Sequence, residues 1–340
     1  MKNSLNIRSK GRKNQMKNKK ILSLIAGLAS VTLLASCTNV SNRVTFSENW
    51  NTDPTHSTPS VTETLKYKVS FEKLSGLDAV NYDLDYSNGT YTATLTPLPD
   101  KSGYEYKTTL TIDVTYSLGE STKTETDTMT STVLFKSSGS SLQPISSVKE
   151  MFCHSPLNAE SASKIEDCYS KYEYTIATNY EPDLSKGKTV ITNLAATENN
   201  VITKEFEIED EKNTYLDNEQ LLFALRGVSP SLNSAPAFLV YAPFTSAVQT
   251  IKSSFSTTTS KTSFSFNQNG DPVTKEISYR EVSVSIDSKT PGATQTVWIA
   301  EKGSDPQNNE NRNIILKMST PISYNFGTLV YELSEETFSL

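Results

Sequence analysis

Leu65-Lys66-Tyr67-Lys68-Val69-Ser70-Phe71-Glu72 alternates an apolar or aromatic side chain with a polar one at every step. Successive side chains of an extended strand point to opposite faces, so a period of two gives this stretch one buried face and one wet face. The alternation returns in Tyr104, Tyr106, Leu110, Ile112, Val114 and Tyr116, with Thr, Glu, Lys and Asp between them. Shorter runs follow at Phe206/Ile208, Phe238/Val240, Phe264/Phe266, Ile277/Tyr279, Val282/Val284/Ile286, Trp298/Ala300 and Leu329/Tyr331/Leu333. Thr is abundant throughout, which suits a pleated surface. Asn88-Gly89 lies between the runs Tyr82–Tyr86 and Tyr91–Leu95, and Asn269-Gly270 follows Phe264–Phe266. Both dipeptides adopt positive φ readily and favour tight hairpins. A long polar loop at 303–313 serves the same role. The expected class is mainly β, an antiparallel meander.

One helix interrupts the pattern. Asp217 is placed to cap it, with Gln220 three residues on as the partner of a capping box. Leu221, Leu222, Ala224 and Leu225 supply the apolar face, Arg226 suits the negative helix end, and Gly227 terminates it. Residues 160–172 form a weaker helical segment, with Ile165, Cys168, Tyr169 and Tyr172 at helical spacing.

Upstream of the β pattern the chain changes character. Residues 1–20 carry eight basic residues and no acid, and Ile21–Ala35 is almost unbroken apolar and small sequence. A basic flank, a short apolar core and a small-residue ending describe a secretory signal, too short to span a bilayer of ~30 Å comfortably. Its last residues, Leu34-Ala35-Ser36-Cys37, resemble the bacterial lipobox. That resemblance implies a diacylglyceryl group on the Cys37 thiol and cleavage after Ser36. Residues 1–36 are then the signal peptide, with either Met1 or Met16 as the start. Two acyl chains anchor a protein stably where one binds only marginally, at ~0.8 kcal/mol per buried methylene. The expected location is a cell membrane or outer membrane, facing the periplasm or exterior. Thr38 after the cysteine, in place of Asp, is associated in two-membrane bacteria with passage to the outer membrane. Residues 37–62, rich in Asn, Ser, Thr and Pro, read as a flexible tether reaching ~25–30 Å on average. Residues 63–340 form the β domain, with a subdivision near 137–147 as an alternative.

The net charge of −6 falls to about −14 without the signal's cations, which disfavours nucleic acid and anionic lipid headgroups as partners. With Cys37 lipidated, Cys153 and Cys168 remain, and an even pair in an exported protein favours a disulfide worth ~3 kcal/mol. A zinc site on Cys153, His154 and Cys168 fits no ligand spacing.

The order of pieces in the body carries a second resemblance. The strand Leu65–Phe71 comes first, then a long meander, the segment Leu142-Gln143-Pro144-Ile145-Ser146-Ser147, and a short helix ending Leu225-Arg226. Thr296-Val297-Trp298, Leu316-Lys317-Met318 and Phe326-Gly327-Thr328-Leu329-Val330-Tyr331-Glu332-Leu333 close the series. Over 65–333 this resembles a large family of bacterial envelope proteins of unknown function, distantly similar to the LolA/LolB lipoprotein carriers. The resemblance implies an open, strongly curved antiparallel sheet, a half-barrel, with one or two short helices against its concave side. It also implies an apolar concavity able to hold acyl chains, and no catalytic residues. The alternative architecture is two Ig-like β-sandwich domains, roughly 63–140 and 170–340.

No reaction centre stands out. The two histidines are His56 in the tether and His154 beside Cys153, and no Gly-x-Ser-x-Gly is present. Gly187-Lys188-Thr189 imitates the end of a P-loop, but Pro182 occupies the first glycine's place. Asp83-x-Asp85-x-Ser87-Asn88-Gly89 resembles a calcium loop with its glycine one place late and Thr94 where Glu belongs. No cofactor or metal is expected. The expectation is a non-catalytic envelope lipoprotein that binds a lipid or other apolar ligand. The alternative is a surface interaction or adhesion protein, with another envelope protein as partner.

Overall fold

The structure, a computed structural model, describes residues 43–46, 59–74, 80–138, 141–198, 200–208, 214–229, 235–286, 294–301 and 313–339. The signal, Cys37, His56 and the polar loop at 303–313, apart from its last residue Asn313, lie outside the described residues.

The alternating stretches form strands whose inward faces are the apolar ones. The N-terminal half is a meander of long strands: β1 Thr62–Lys73, β2 Asp83–Pro97, β3 Gly103–Leu118, β4 Ser121–Ser138 and β5 Ser141–Pro156. It continues through β6 Tyr169–Tyr180, β7 Lys186–Asn193 and β8 Val201–Glu207. The two-residue β9 Thr214–Tyr215 leads into α1 Leu221–Arg226, and then come β10 Ala237–Ala242, β11 Ala247–Phe255 and β12 Ser260–Gln268. The chain ends with β13 Asp271–Ile286, β14 Gln295–Ala300, β15 Ile315–Pro321 and β16 Gly327–Ser339.

These strands belong to one sheet in the order β8-β7-β6-β5-β4-β3-β2-β1-β16-β15-β14-β13-β11-β10-β9. Neighbours are antiparallel except β9 with β10 and β12 with β16. The first and last strands pair at its centre, from Thr62 opposite Ser339 to Lys73 opposite Gly327. Two Ig-like sandwiches are therefore excluded. Near 137–147, β4 and β5 are paired from Ser138/Ser141 to Thr128/Phe152, so one sheet runs through the expected subdivision.

The sheet also closes on itself locally. β12 lies along the first half of β13, then meets β16 in parallel at Asn267/Glu335 and Gln268/Glu336. The strands β16-β15-β14-β13-β12 thus form a five-strand ring. The Asn269-Gly270 hairpin builds this closure. Both residues have positive φ, Asn269 N–H donates to the Glu336 carbonyl at 2.8 Å, and Phe338 N–H donates to Asn269 Oδ1 at 3.0 Å.

The free ends of the sheet meet by side chains. Phe206 of β8 stacks on Tyr241 of β10, with ring centroids 3.9 Å apart and planes 7° apart, and Tyr180 and Tyr215 complete the cluster. By strand parity Phe206 lies on the same side of its sheet wing as Ile191, whereas Tyr241 lies on the side opposite Phe238 and Val240. One end of the sheet thus overlaps the back of the other and buries a small second core.

Several local expectations are corrected. Asn88-Gly89 makes no hairpin: β2 runs through it, with Asn88 at φ 53 and a bulge between Ser87 and Thr90. The glycine is required by proximity, since a Cβ at Gly89 would lie 2.6 Å from the Val69 carbonyl oxygen. The helix of 160–172 is only a 3₁₀ turn, Ile165–Asp167. From Tyr169 the residues pair with β5, where alternating Tyr, Thr and Ile fit a pleat better than a helix. Asp217 does cap, accepting from Glu219 N–H at 2.8 Å, but the cap belongs to a 3₁₀ turn, Asn218–Gln220, and Gln220 does not reach back. The expected tether is also packed in part. In Arg43–Phe46, Val44 and Phe46 are buried while Arg43 and Thr45 face outward. Phe46 bridges Val228 and stacks on Phe238, and Val44 N–H donates to Thr214 Oγ1 at 2.8 Å. Two apolar side chains at alternate positions suffice to seat an extended segment whose flanks are polar.

Candidate functional site

Most inward positions carry Leu, Ile, Val, Tyr or Phe, and the exceptions define the site. At inward parity β1 has Glu63, β4 has Asp127 and Ser131, and β5 has Ser147 and Lys149, all buried. They fall into two constellations.

The first ties the segment 217–226 to the concave face. Phe223 packs among Phe135, Tyr106 and Tyr104, with centroids 5.0, 5.5 and 6.3 Å away. Around this apolar contact sit three polar clasps. Ser147 Oγ and Tyr180 Oη both donate to Asp217 Oδ2, each at 2.6 Å. Lys149 Nζ donates to Glu219 Oε1 at 2.9 Å. Arg226 meets Glu63 fork to fork, Nη1–Oε1 2.6 Å and Nη2–Oε2 2.9 Å, and its Nε donates to the Asn313 carbonyl at 3.0 Å. Burial pushes the Asp217 carboxyl up, against the lowering by its hydroxyl donors. At Glu219 burial also acts upward, but Lys149 and the hydrogen bonds prevail and its pKa is lowered. Burial opposes the Arg226 charge, yet the Glu63 carboxylate outweighs it and the pKa is raised. Burial above all lifts the neighbouring Tyr106 phenol to about 12.

The second constellation lies toward the other end of β4. The β4–β5 ladder stops at Thr128/Phe152. Past that point Asp127 Oδ1 takes over, accepting from His154 N–H at 2.9 Å and lying 2.8 Å from His154 Nδ1. Asp127 is fully buried, and its Oδ2 and the Tyr86 hydroxyl have no hydrogen-bond partner among the described residues. Burial raises the Asp127 pKa, opposed by the His154 contacts. His154 Nε2 lies 3.9 Å from Glu125 Oε2, and Glu125 is paired with Lys123 Nζ at 2.8 Å. Lys123 also donates to Tyr169 Oη at 2.9 Å, and the Tyr169 ring stands edge-on to His154. The imidazole is thus oriented by one carboxylate and faces a second. Acyl transfer would need a hydroxyl or thiol at Nε2.

Cys153 and Cys168 are both buried free thiols, which corrects the expected disulfide. Cys153 stands opposite Tyr172, and Cys168 falls just before the pair Pro156/Tyr169, so the register separates them. Cys153 donates to the Thr128 carbonyl and Cys168 to the Lys164 carbonyl. Burial pushes both thiols up, away from a reactive thiolate. The P-loop imitation lies in β7, with Gly187 against the Phe206 ring and Thr189 bonded to Thr178. Asp83 and Asp85 of the calcium-like stretch are exposed on β2. Among the described residues no cluster of His, Cys, Asp and Glu suits a metal ion.

The fold and these paired interior charges define a barrel-like, mainly antiparallel β protein. No protein-family model and no curated protein matches the chain. Among solved structures it is similar to a beta-barrel-like protein of a domain of unknown function, DUF1849, from Brucella abortus. The identity is 8%, over 83% of this chain and 100% of that one, with a TM-score of 0.46.

Proposed function

We propose that the chain is a non-catalytic binding domain of the bacterial cell envelope, held at a membrane by lipid on Cys37. The carrying observation is the sequence Leu34-Ala35-Ser36-Cys37 behind a basic flank and an apolar run. Asp217, Glu219, Arg226 and Asp127 are each engaged with protein partners, which supports a structural rather than a catalytic use of the interior charges. The preferred ligand is apolar, a lipid or acyl chain. Fractionation of cells expressing the wild type and Cys37→Ala tests the anchor: the variant is expected in the soluble fraction, and its retention in membranes refutes the reading. Mass spectrometry of gently purified protein tests the ligand. Copurified lipid beyond that on Cys37 is expected, and its consistent absence counts against an apolar cargo. A second reading, an interaction domain, is favoured by β8. This edge strand exposes Val201 and Ile202, an arrangement open to strand addition by another envelope protein.

A further inference from the structure

We propose that the body lies on the bilayer in one fixed orientation, with the surface around Arg43–Phe46, β9 and the start of β10 turned toward the lipid headgroups. The inference rests on the lipid anchor proposed for Cys37 and goes beyond it.

A free tether over 37–62 would let the body tumble above the membrane. The chain is instead seated again at Arg43. Val44 is bonded to Thr214 of β9, and Phe46 bridges Val228 and stacks on Phe238 of β10. Cys37 precedes Arg43 by six residue steps, which span ~20–22 Å at full extension. β4 alone has 18 residues, ~60 Å at the rise of a strand. The leash is about a third of the body's length, so only the neighbourhood of Arg43 can sit at the headgroups. Phe135 of β4 packs on Phe223, close in the chain to Val228, and from Phe135 to the turn at Gly119-Glu120 the strand covers roughly 45 Å. That hairpin tip therefore lies beyond the leash's reach from Arg43, and the proposed orientation turns it away from the membrane. Charge agrees with the arrangement. Arg43 is an exposed cation at the point of attachment, while the acidic balance of the remaining chain disfavours broad contact with anionic lipid. The partner is a bilayer headgroup surface, reached by tethering and without insertion.

Lys252, exposed and opposite Ala237, lies two strand spacings from Thr214, ~10 Å, and reports the near side; exposed Glu120 reports the far side. Full-length lipidated Lys252→Cys and Glu120→Cys proteins, each with one environment-sensitive fluorophore, are placed in phosphatidylcholine vesicles containing headgroup spin-labelled lipid. Quenching at least twofold stronger at 252 than at 120 is expected. Equal quenching in protein that remains vesicle-bound overturns the orientation while leaving the anchor intact. A Gly/Ser insertion of about 20 residues between Asn42 and Arg43 lengthens the leash beyond the body's radius and is expected to equalise the two positions. A difference that survives the insertion overturns the leash as its cause. If native protein lacks the diacylglyceryl mass, or if Cys37→Ala stays bound, the anchor itself fails and the orientation falls with it.

Discussion

Removing one partner of the Arg226–Glu63 pair should be among the most destabilising conservative changes in the molecule. Both side chains are 2% exposed and share two hydrogen bonds of 2.6 and 2.9 Å. Glu63→Gln keeps the shape but leaves the guanidinium charge buried opposite a neutral amide. Breaking a buried pair in this way costs about 3–5 kcal/mol, whereas an exposed pair is worth about 0–1. Against a typical total of about 5–15 kcal/mol, the loss is a large fraction of folding stability. Urea unfolding followed by tyrosine fluorescence, at neutral pH and fixed ionic strength, reads the cost as a lower midpoint. The double variant Glu63→Leu/Arg226→Met removes both charges at similar volume. It is expected to lie close to the wild type or above it, because the desolvation of both ions is no longer incurred. With the singles Glu63→Leu and Arg226→Met, the double-mutant cycle should therefore show strong coupling between the two sites. A Glu63→Gln cost below about 1 kcal/mol would refute the assignment of this pair to the low-dielectric interior. So would a double variant as unstable as the summed singles.

Asp127→Asn tests the sign of the buried carboxyl. Its folded pKa is raised, so its contribution is fully present below the unfolded value of about 3.9 and is lost as pH rises through the folded one. The variant's stability relative to wild type should increase from pH 4 to pH 7 in urea titrations, and a pH-independent difference would contradict it. Phe223→Ala removes the ring from the Tyr104, Tyr106 and Phe135 cage and should cost about 3–5 kcal/mol by the same measurement. Gly89→Ala drives a methyl against the Val69 backbone and should cost about 1–3 kcal/mol, with faster amide exchange confined to β1 and β2 as the local signature.

The strands were legible because period-two alternation depends only on local geometry. Leu65, Tyr67 and Val69 are buried and Lys66, Lys68 and Ser70 exposed, as read. Asn269-Gly270 turned a hairpin as expected, yet the identical Asn88-Gly89 did not. Both dipeptides supply positive φ; whether the chain reverses or bulges is decided by strand partners, here β1 packed against Gly89. Order along the sheet was equally hidden, since nothing local says that β16 returns to β1. The buried polar groups left a fainter signal. Glu63 falls two residues before Leu65 and Asp127 two before Met129, each in step with an apolar series. An acid at an inward position implies a buried partner, but which cation or imidazole supplies it is set by tertiary packing. Arg226 shows the limit: its place at the helix end suggested a dipole contact, and the fold spends it on Glu63 instead.

The pairing of β1 with β16 has a consequence for biogenesis. Its partners lie roughly 250–280 residues apart in sequence, the kind of non-local contact that slows folding. During synthesis the amino-terminal zigzag from β1 to β8 can assemble hairpin by hairpin as it emerges, but β1 keeps one open flank until the last thirteen-residue strand has arrived. Until then a long, half-apolar ribbon edge is available to any stray strand, including that of a neighbouring nascent copy. A nascent chain stalled short of Gly327 should therefore demand a chaperone, and nonsense truncations that delete only the carboxyl-terminal ribbon should aggregate rather than yield a smaller soluble body.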